Sequence, residues 1–313
     1  MTDFFNPLLP APHPDPWVMV HQNRYYYCGS VDNQIYILES PTLFDLRYAQ
    51  VNVVWRAPET GRNSKDIWAP ELHRIGDRWF IYYAADDGVN ENHRMFVLES
   101  ASDDPMGPYI DLGQVTDETD RWAIDGTVLQ HPNGQLYFIW SGWEGDINIA
   151  QNLYIASLDR DRPWVISSPR VLLSVPEHDW EKIGEPFVNE GPEVLIHGDQ
   201  IFIIYSASGS WTEDYCLGML HTDIHQSPLN ASAWQKVSEP VFRKDHEAGV
   251  YGVGHASFIQ DHADGSHWII YHGMEQADAG WVGRSARIQR FHFDDEGFPQ
   301  FGPPLALSCT IAM

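Results

Sequence analysis

The chain has 313 residues and a formal net charge of −25, with 19 Lys and Arg against 44 Asp and Glu. This charge argues against nucleic acid and anionic membrane surfaces as partners, because phosphate groups are bound by Lys and Arg. It also disfavours acidic substrates, so a neutral ligand fits the composition best. Aromatic residues make up 13% of the chain and include 13 Trp. Such side chains fill β cores, and they also stack on sugar rings.

The N-terminal segment and the cysteines bear on the cellular compartment. Residues 1–7 contain neither a basic stretch nor an apolar one, so we expect no signal peptide. No apolar run approaches the roughly 18 residues needed to span a bilayer. Cys28, Cys216 and Cys309 are odd in number and widely spaced, which is typical of reduced thiols. These features predict a cytoplasmic protein.

Short apolar runs broken by Gly, Asn and Asp turns recur along the chain, and helical periodicity is nearly absent. Five copies of one pattern, in which turn residues precede an apolar-aromatic run and a small residue, occur at 23–28, 76–84, 133–141, 198–206 and 264–272. The last aromatic residues of these copies, Tyr27, Tyr83, Trp140, Tyr205 and Tyr271, are 56, 57, 65 and 66 residues apart. A repeat of this kind predicts an all-β, five-bladed β-propeller. With no linker between the copies, residues 1–313 are expected to form a single domain.

A second strand is predicted before each copy, and the first strand of a propeller blade lines the central channel. The residues at the starts of these strands stand 12, 15, 15, 15 and 16 positions before the markers and are Asp15, Trp68, Asp125, Glu190 and His255. We therefore expect three carboxylates, an aromatic ring and a histidine to converge at the central axis. A pair of carboxylates, one protonated and one ionised, is the usual machinery of glycoside hydrolysis. A third carboxylate helps to keep the acid protonated near neutral pH.

Several segments resemble glycoside hydrolase family 43. The opening NPLLPAPHPDP at 6–16, KDIWAPEL at 65–72, AIDG at 123–126, EGP at 190–192, and GRSARIQ with GFP at 283–299 follow the order of that family's motifs. The resemblance covers essentially the whole chain. It implies an inverting enzyme with a five-bladed propeller, in which Asp15 is the general base, Glu190 the general acid, and Asp125 the residue that tunes and orients the acid.

The resemblance also implies roles for residues around these carboxylates. His255 corresponds to an axial histidine that binds a water or a structural calcium ion in relatives, whereas the chemistry itself requires no cofactor. Arg284 or Arg287 is expected to reach a sugar hydroxyl, and Arg284 is favoured. Trp68 offers a face for stacking on the sugar.

Family 43 includes arabinofuranosidases, endo-arabinanases and β-xylosidases, so the resemblance leaves the substrate open. The segments around 84–88, 140–145 and 206–211 most resemble the exo-acting α-L-arabinofuranosidase branch. This implies release of terminal L-arabinofuranose from neutral arabino-oligosaccharides, with Trp143 and Ser208 among the substrate-binding residues. The alternatives are a β-D-xylosidase or an endo-α-1,5-arabinanase of the same fold, or a non-catalytic sugar-binding propeller. The oligomeric state is not predicted.

Overall fold

The computed structural model describes residues 4–311, within which the regular structure consists of twenty β-strands and five 3₁₀-helices. The prediction of an all-β chain is confirmed. The first three residues of the N-terminal segment considered above lie outside the described range. None of the helices within residues 4–311 has the length or the apolar character needed to cross a membrane.

Three four-stranded antiparallel sheets and one eight-stranded sheet hold the strands. The first sheet contains β1 (Trp17–His21), β2 (Arg24–Val31), β3 (Gln34–Ser40) and β4 (Asn52–Arg56). The second contains β5 (Lys65–Ile75), β6 (Arg78–Asp86), β7 (Arg94–Ser100) and β8 (Tyr109–Val115).

The eight-stranded sheet contains β9 (Ala123–Gln130), β10 (Leu136–Gly142), β11 (Ala150–Leu158), β12 (Val171–Ser174), β13 (Phe187–His197), β14 (Gln200–Ala207), β15 (Cys216–Asp223) and β16 (Gln235–Lys236). The last sheet contains β17 (Tyr251–Gln260), β18 (His267–Met274), β19 (Ser285–Phe293) and β20 (Pro299–Gln300). The short 3₁₀-helices lie at Phe44–Tyr48, Asn90–Asn92, Asp179–Glu181, Ala231–Ala233 and Trp281–Gly283.

The second strand of each repeat is buried on both faces, which explains its continuous apolar sequence. In β6, every residue after Arg78 is buried. Tight turns join these strands to their neighbours, and the first sheet has two-residue turns at Gln22-Asn23 and Asp32-Asn33, all with positive φ. Turns of this kind match the twist of antiparallel strands. The local sequence therefore fixes the hairpins.

The sheets pack face to face in chain order, and the last sheet packs against the first. Five apolar clusters lie between neighbouring sets of strands, and one of them joins β2 and β3 to β18 and β19. The chain ends complete this closure, because Leu9 forms a β-bridge with Ala286 and Phe4 forms one with Ile311. Consequently β1, β5, β9, β13 and β17 each contact the next in a ring, in which β17 also contacts β1.

Candidate active site

A left-handed residue lies within, or just before, every strand of this ring. These residues have φ between 42° and 53° and are Asp15, Ala69, Asp125, Gly191 and His255. In β5, β9, β13 and β17 the pairing with the neighbouring strand shifts register at this point, as at a β-bulge. A bulge re-aims the side chains beside it. The bulges therefore turn one or two side chains per strand toward a common centre.

The sequence-based alignment of the repeats is wrong by one residue at two positions. Trp68 and Glu190 come one residue before the left-handed positions and are equivalent to each other, not to Asp15 and Asp125. The marker in the first repeat, Tyr27, was also misplaced. Trp17 pairs with Cys28 in the first sheet as Glu71 pairs with Tyr82 in the second. The residue equivalent to the marker Tyr83 is therefore Gly29. A Cβ atom at Gly29 would lie 2.7 Å from the Tyr36 hydroxyl, so an aromatic ring from β3 fills that space.

Asp15 is surrounded by three basic side chains. Its Oδ1 atom lies 3.2 Å from Arg284 Nη1, 3.2 Å from His272 Nδ1 and 3.3 Å from His255 Nδ1. Burial by itself would raise the pKa of Asp15, but the charges of Arg284 and His255 outweigh it and hold the pKa well below its usual range. The carboxyl of Asp15 is therefore ionised near neutral pH.

Glu190 lies in the opposite electrostatic situation. Its carboxyl is buried, which raises its pKa to about 7 even though the Tyr215 hydroxyl donates a hydrogen bond of 2.8 Å to Oε1 and favours the ionised form. The negative charge of Asp15 adds to the rise. Near neutral pH a substantial fraction of Glu190 therefore carries a proton, as a general acid must.

Asp125 is buried between these two groups. Burial, followed by the charges of Glu190 and Asp15, raises its pKa well above the usual range. Its Oδ2 accepts a hydrogen bond of 3.1 Å from the peptide N–H of Gly191, the residue that follows Glu190. Asp125 thus fixes the backbone beside Glu190, and its raised pKa favours the uncharged, protonated carboxyl.

His255 is placed against the carboxylates, and the surrounding side chains do not fit a calcium ion. Its Nδ1 atom lies 3.3 Å from Asp15 Oδ1 and 3.9 Å from Asp125 Oδ2. Calcium requires six to eight oxygen ligands, and within residues 4–311 no group of three or more His, Cys, Asp and Glu side chains is arranged to hold a metal. The predicted role of His255 as a metal ligand finds no donor set here.

Trp68 presents one face to solvent and rests on a buried support. Its ring stacks on His93 with centroids 3.9 Å apart, and it remains 38% exposed. His93 is fully buried and its Nδ1 lies 3.0 Å from Asp86 Oδ2. Trp68 precedes its bulge as Glu190 does, so the two residues occupy equivalent backbone positions in the ring.

The other predicted sugar-binding residues differ in their access to this centre. Arg284 contacts Asp15, whereas Arg287 is fully buried and donates from Nε to the Ser285 hydroxyl. Trp143 is only 3% exposed and stacks on Trp122 at 4.8 Å, which leaves it no face for a ligand. We therefore correct the sequence-based interpretation of Trp143, because its indole belongs to the core.

Ser208 requires the same correction. It is fully buried, its hydroxyl donates to the Trp180 carbonyl at 2.7 Å, and its oxygen accepts from the Ile183 N–H at 3.2 Å. Both hydrogen-bonding functions of the hydroxyl are used inside the fold. Ser208 thus supports the loop that leads to β13 and is not exposed to a substrate.

Sequence reasoning missed His272 and Tyr215, which connect Asp15 to Glu190. His272 faces Asp15, and its ring stacks on Tyr215 at 5.4 Å with an interplanar angle of 8°. Burial lowers the pKa of His272 to about 4, so it is neutral. His272 stands at the end of the fifth repeat, where Ala84 and Ser141 stand in the second and third, and this departure was a usable signal. No sequence pattern marks Tyr215.

Comparisons with known proteins agree on one family. Residues 4–299 match the sequence model of a family described as "Glycosyl hydrolases family 43". An "Extracellular exo-alpha-(1->5)-L-arabinofuranosidase" of Streptomyces avermitilis is 33% identical over 98% of this chain and 65% of its own length. A protein of the same name from Streptomyces chartreusis is 34% identical over 85% of this chain and 84% of its own. The crystal structure of an α-L-arabinofuranosidase from Lactobacillus brevis superimposes with a TM-score of 0.91, at 33% identity and with 98% of each chain covered.

These relatives contradict the predicted cytoplasmic location, since both Streptomyces proteins are named as extracellular. The cysteine argument fails for a physical reason. Cys28 and Cys216 are buried, and a buried thiol is withheld from oxidants in any compartment. The chain spans about two thirds of the length of the Streptomyces avermitilis relative, at 65%.

Proposed function

The chain belongs to glycosyl hydrolase family 43 and is a glycoside hydrolase, and from that premise we propose that it is an inverting exo-α-L-arabinofuranosidase. It releases terminal L-arabinofuranose from neutral, α-1,5-linked or branched arabino-oligosaccharides. The observation that carries the proposal is the opposite ionisation of Asp15 and Glu190 within one ring of strands. The arabinose specificity is supported by the names of the three relatives described above.

The proposal includes a five-bladed propeller built from residues 1–313 as one domain. The eight-stranded sheet is two antiparallel sets of four strands, joined only by a short parallel pairing of Ala150 with Phe187 and of Gln151 with Val188. Counting these sets separately gives five blades of four strands each. The ring of first strands supports this interpretation, because it places their bulges around one axis.

Asp15 is the general base. All its contacts with basic side chains use Oδ1, which leaves Oδ2 to accept a proton from the attacking water. The charges of Arg284 and His255 keep the carboxylate ionised, and the neutral ring of His272 accepts a hydrogen bond of 3.2 Å from the peptide N–H of Asp15. A water activated there attacks the anomeric carbon from the side opposite the leaving group, so the product has the inverted configuration.

Glu190 is the general acid, and Asp125 positions it. Tyr215 occupies Oε1 of Glu190, so the proton on Oε2 is the one given to the glycosidic oxygen. When Glu190 loses this proton, the hydrogen bond from Tyr215 stabilises the new charge. Asp125 holds the peptide of Gly191 in place beside the acid.

Proton NMR of the first product tests this proposal with α-1,5-linked arabinotriose and xylobiose as substrates. We expect β-arabinose and arabinobiose to appear first from the triose, which identifies exo action with inversion. Initial appearance of α-arabinose would refute inversion. Turnover of xylobiose alone would assign the enzyme to β-xylosidases, and binding of both sugars without cleavage would leave a non-catalytic propeller.

Replacing Glu190 with Gln separates the acid from its neighbour Glu193. Glu190→Gln is expected to abolish hydrolysis of the oligosaccharide, while sugar binding and hydrolysis of an activated aryl arabinofuranoside persist. Glu193 lies three residues further along the same strand and is also buried, which makes Glu193→Gln the matched control. If Glu190→Gln cleaves arabinotriose as fast as the wild type, the assignment of the acid is wrong.

A further inference from the structure

Two loops end on the catalytic carboxyls. Residues 208–215 connect β14 to β15, and their last member, Tyr215, donates its hydroxyl to Glu190 at 2.8 Å. Residues 275–284 connect β18 to β19, and their last member, Arg284, donates to Asp15 at 3.2 Å. The first loop therefore lies on the side of the acid and the second on the side of the base.

Trp281 joins these two loops. Its indole Nε1 donates to the hydroxyl of Ser210 at 3.1 Å, and its ring meets the ring of Trp211 edge to face at 6.1 Å. Its carbonyl accepts a hydrogen bond of 3.1 Å from Nε of Arg284. The same guanidinium thus holds the backbone of Trp281 and the carboxylate of the base.

The ring of Trp281 is fixed, and yet it is exposed. It is 57% accessible to solvent, although its polar atom and its backbone carbonyl are both engaged. An exposed indole usually keeps its rotational freedom, whereas this one has lost it without gaining burial. This face belongs to the loop that ends on Asp15 and contacts the loop that ends on Glu190, so it suits a ligand that also touches the site.

We propose that Trp281 is the platform for the leaving sugar, that is, the residue of the oligosaccharide on the acid's side of the scissile bond. The inference rests on the proposed function and extends it to a second subsite. The C–H face of a pentose ring is apolar and uncharged, which suits an indole in a protein of charge −25. Trp281 takes the role that sequence reasoning gave to Trp143, which lies in the core.

The alternative for Trp281 is a bracing role for Arg284, and a pair of substrates separates the two. α-1,5-Arabinobiose carries a leaving sugar, whereas α-L-arabinofuranosyl azide has a leaving group too small to reach the platform. A platform residue affects kcat/KM for arabinobiose alone. A brace for Arg284 acts on the base and affects both substrates equally.

The test compares Trp281→Ala and Trp281→Phe with the wild type on both substrates. For Trp281→Ala we expect kcat/KM on arabinobiose to fall about tenfold or more, as for the loss of one buried apolar contact, and kcat/KM on the azide to change less than about twofold. Trp281→Phe should retain part of the activity on arabinobiose. Val282→Ala is the matched control, because Val282 is the next residue and is 78% exposed.

Two results would overturn the platform. Equal losses on both substrates would make Trp281 a brace for Arg284, and no loss on either would make it an ordinary surface residue. Failure of the proposed function shows itself in the wild type, which would then leave arabinobiose uncleaved. If the wild type cleaves xylobiose instead, the same variants are compared on xylobiose and xylosyl azide. The platform role then requires a loss of kcat/KM on xylobiose alone.

Discussion

The hydroxyl of Tyr215 should set the pH at which the enzyme loses activity on the alkaline side. The pKa of Glu190 is raised to about 7, first by burial, while the hydrogen bond from Tyr215 opposes the rise. Above this pKa the acid has lost its proton, so kcat/KM falls as pH increases. Tyr215→Phe removes the donor that stabilises the ionised carboxylate. The pKa of Glu190 should therefore rise, and the alkaline limb should move to higher pH.

The size of this shift follows from the geometry. A hydrogen bond to a charged group contributes roughly 1.5–3 kcal/mol and one to a neutral group about 0.5–1.5 kcal/mol, so the Tyr215 bond favours the ionised form by about 1.4 kcal/mol. That difference corresponds to about one pKa unit. Phe preserves the stacking on His272, so the base keeps its surroundings. The charge of Glu190 affects the pKa of Asp125, so the two carboxyls titrate together. The alkaline limb of the pH profile therefore reports the pair and not Glu190 alone.

The assay is kcat/KM for arabinobiose between pH 4 and 9, with released arabinose as the readout. A poor leaving group is needed, since an activated aryl substrate does not depend on the acid. Tyr271→Phe is the matched control, because Tyr271 is equally buried and its hydroxyl contacts Gln289, away from the carboxyls. An alkaline limb of Tyr215→Phe that stays in place or moves to lower pH would refute the assignment of Glu190 as an acid restrained by Tyr215.

Three further substitutions test other contacts of the site. Arg284→Met removes a charge that keeps the Asp15 carboxylate ionised and oriented, so kcat/KM for arabinobiose at neutral pH should fall by about tenfold or more, as expected for one lost hydrogen bond to a charged group; an unchanged kcat/KM would separate Arg284 from the base. Trp68→Ala should raise KM for arabinobiose about tenfold, as expected for one lost apolar contact, with little change in melting temperature because the ring is 38% exposed; an unaltered KM would remove Trp68 from the sugar site. Ser208→Ala removes two part-buried hydrogen bonds to backbone groups and should lower the free energy of unfolding in urea by about 0.5–1.5 kcal/mol at unchanged kcat/KM; loss of activity at full stability would return Ser208 to the substrate.

The strands could be predicted from the sequence because their pattern is local. A second strand buried on both faces requires a continuous run of β-forming side chains, and β6 and β14 both have one. The turns before these runs are equally local. The positions of Asp15 and Asp125 followed from this frame, since each stands just before a predicted strand.

The one-residue error at Trp68 and Glu190 arose because a bulge is a property of two paired strands. Four of the five left-handed positions hold Asp, Gly or His, which tolerate this backbone conformation. The fifth holds Ala69, and an alanine gives no sign in the sequence that its φ is positive. Counting back from an aromatic marker therefore gave nearly constant sequence separations but missed the register in which the two strands pair. Both side chains still belong to the site, since residues adjacent to a bulge are also re-aimed.

The sequence by itself singled out the residues that we propose for the acid–base chemistry, and it predicted the order of the strands. Only the tertiary structure decided which atoms set their ionisation and which Trp remained accessible. Arg284 and Asp15 are separated by 269 positions and His272 and Asp15 by 257, and those contacts depend on the closure of the last sheet onto the first. Electrostatic interactions and burial depend on distances in space. The local sequence pattern that predicts a strand therefore does not predict the ionisation or the exposure of its side chains.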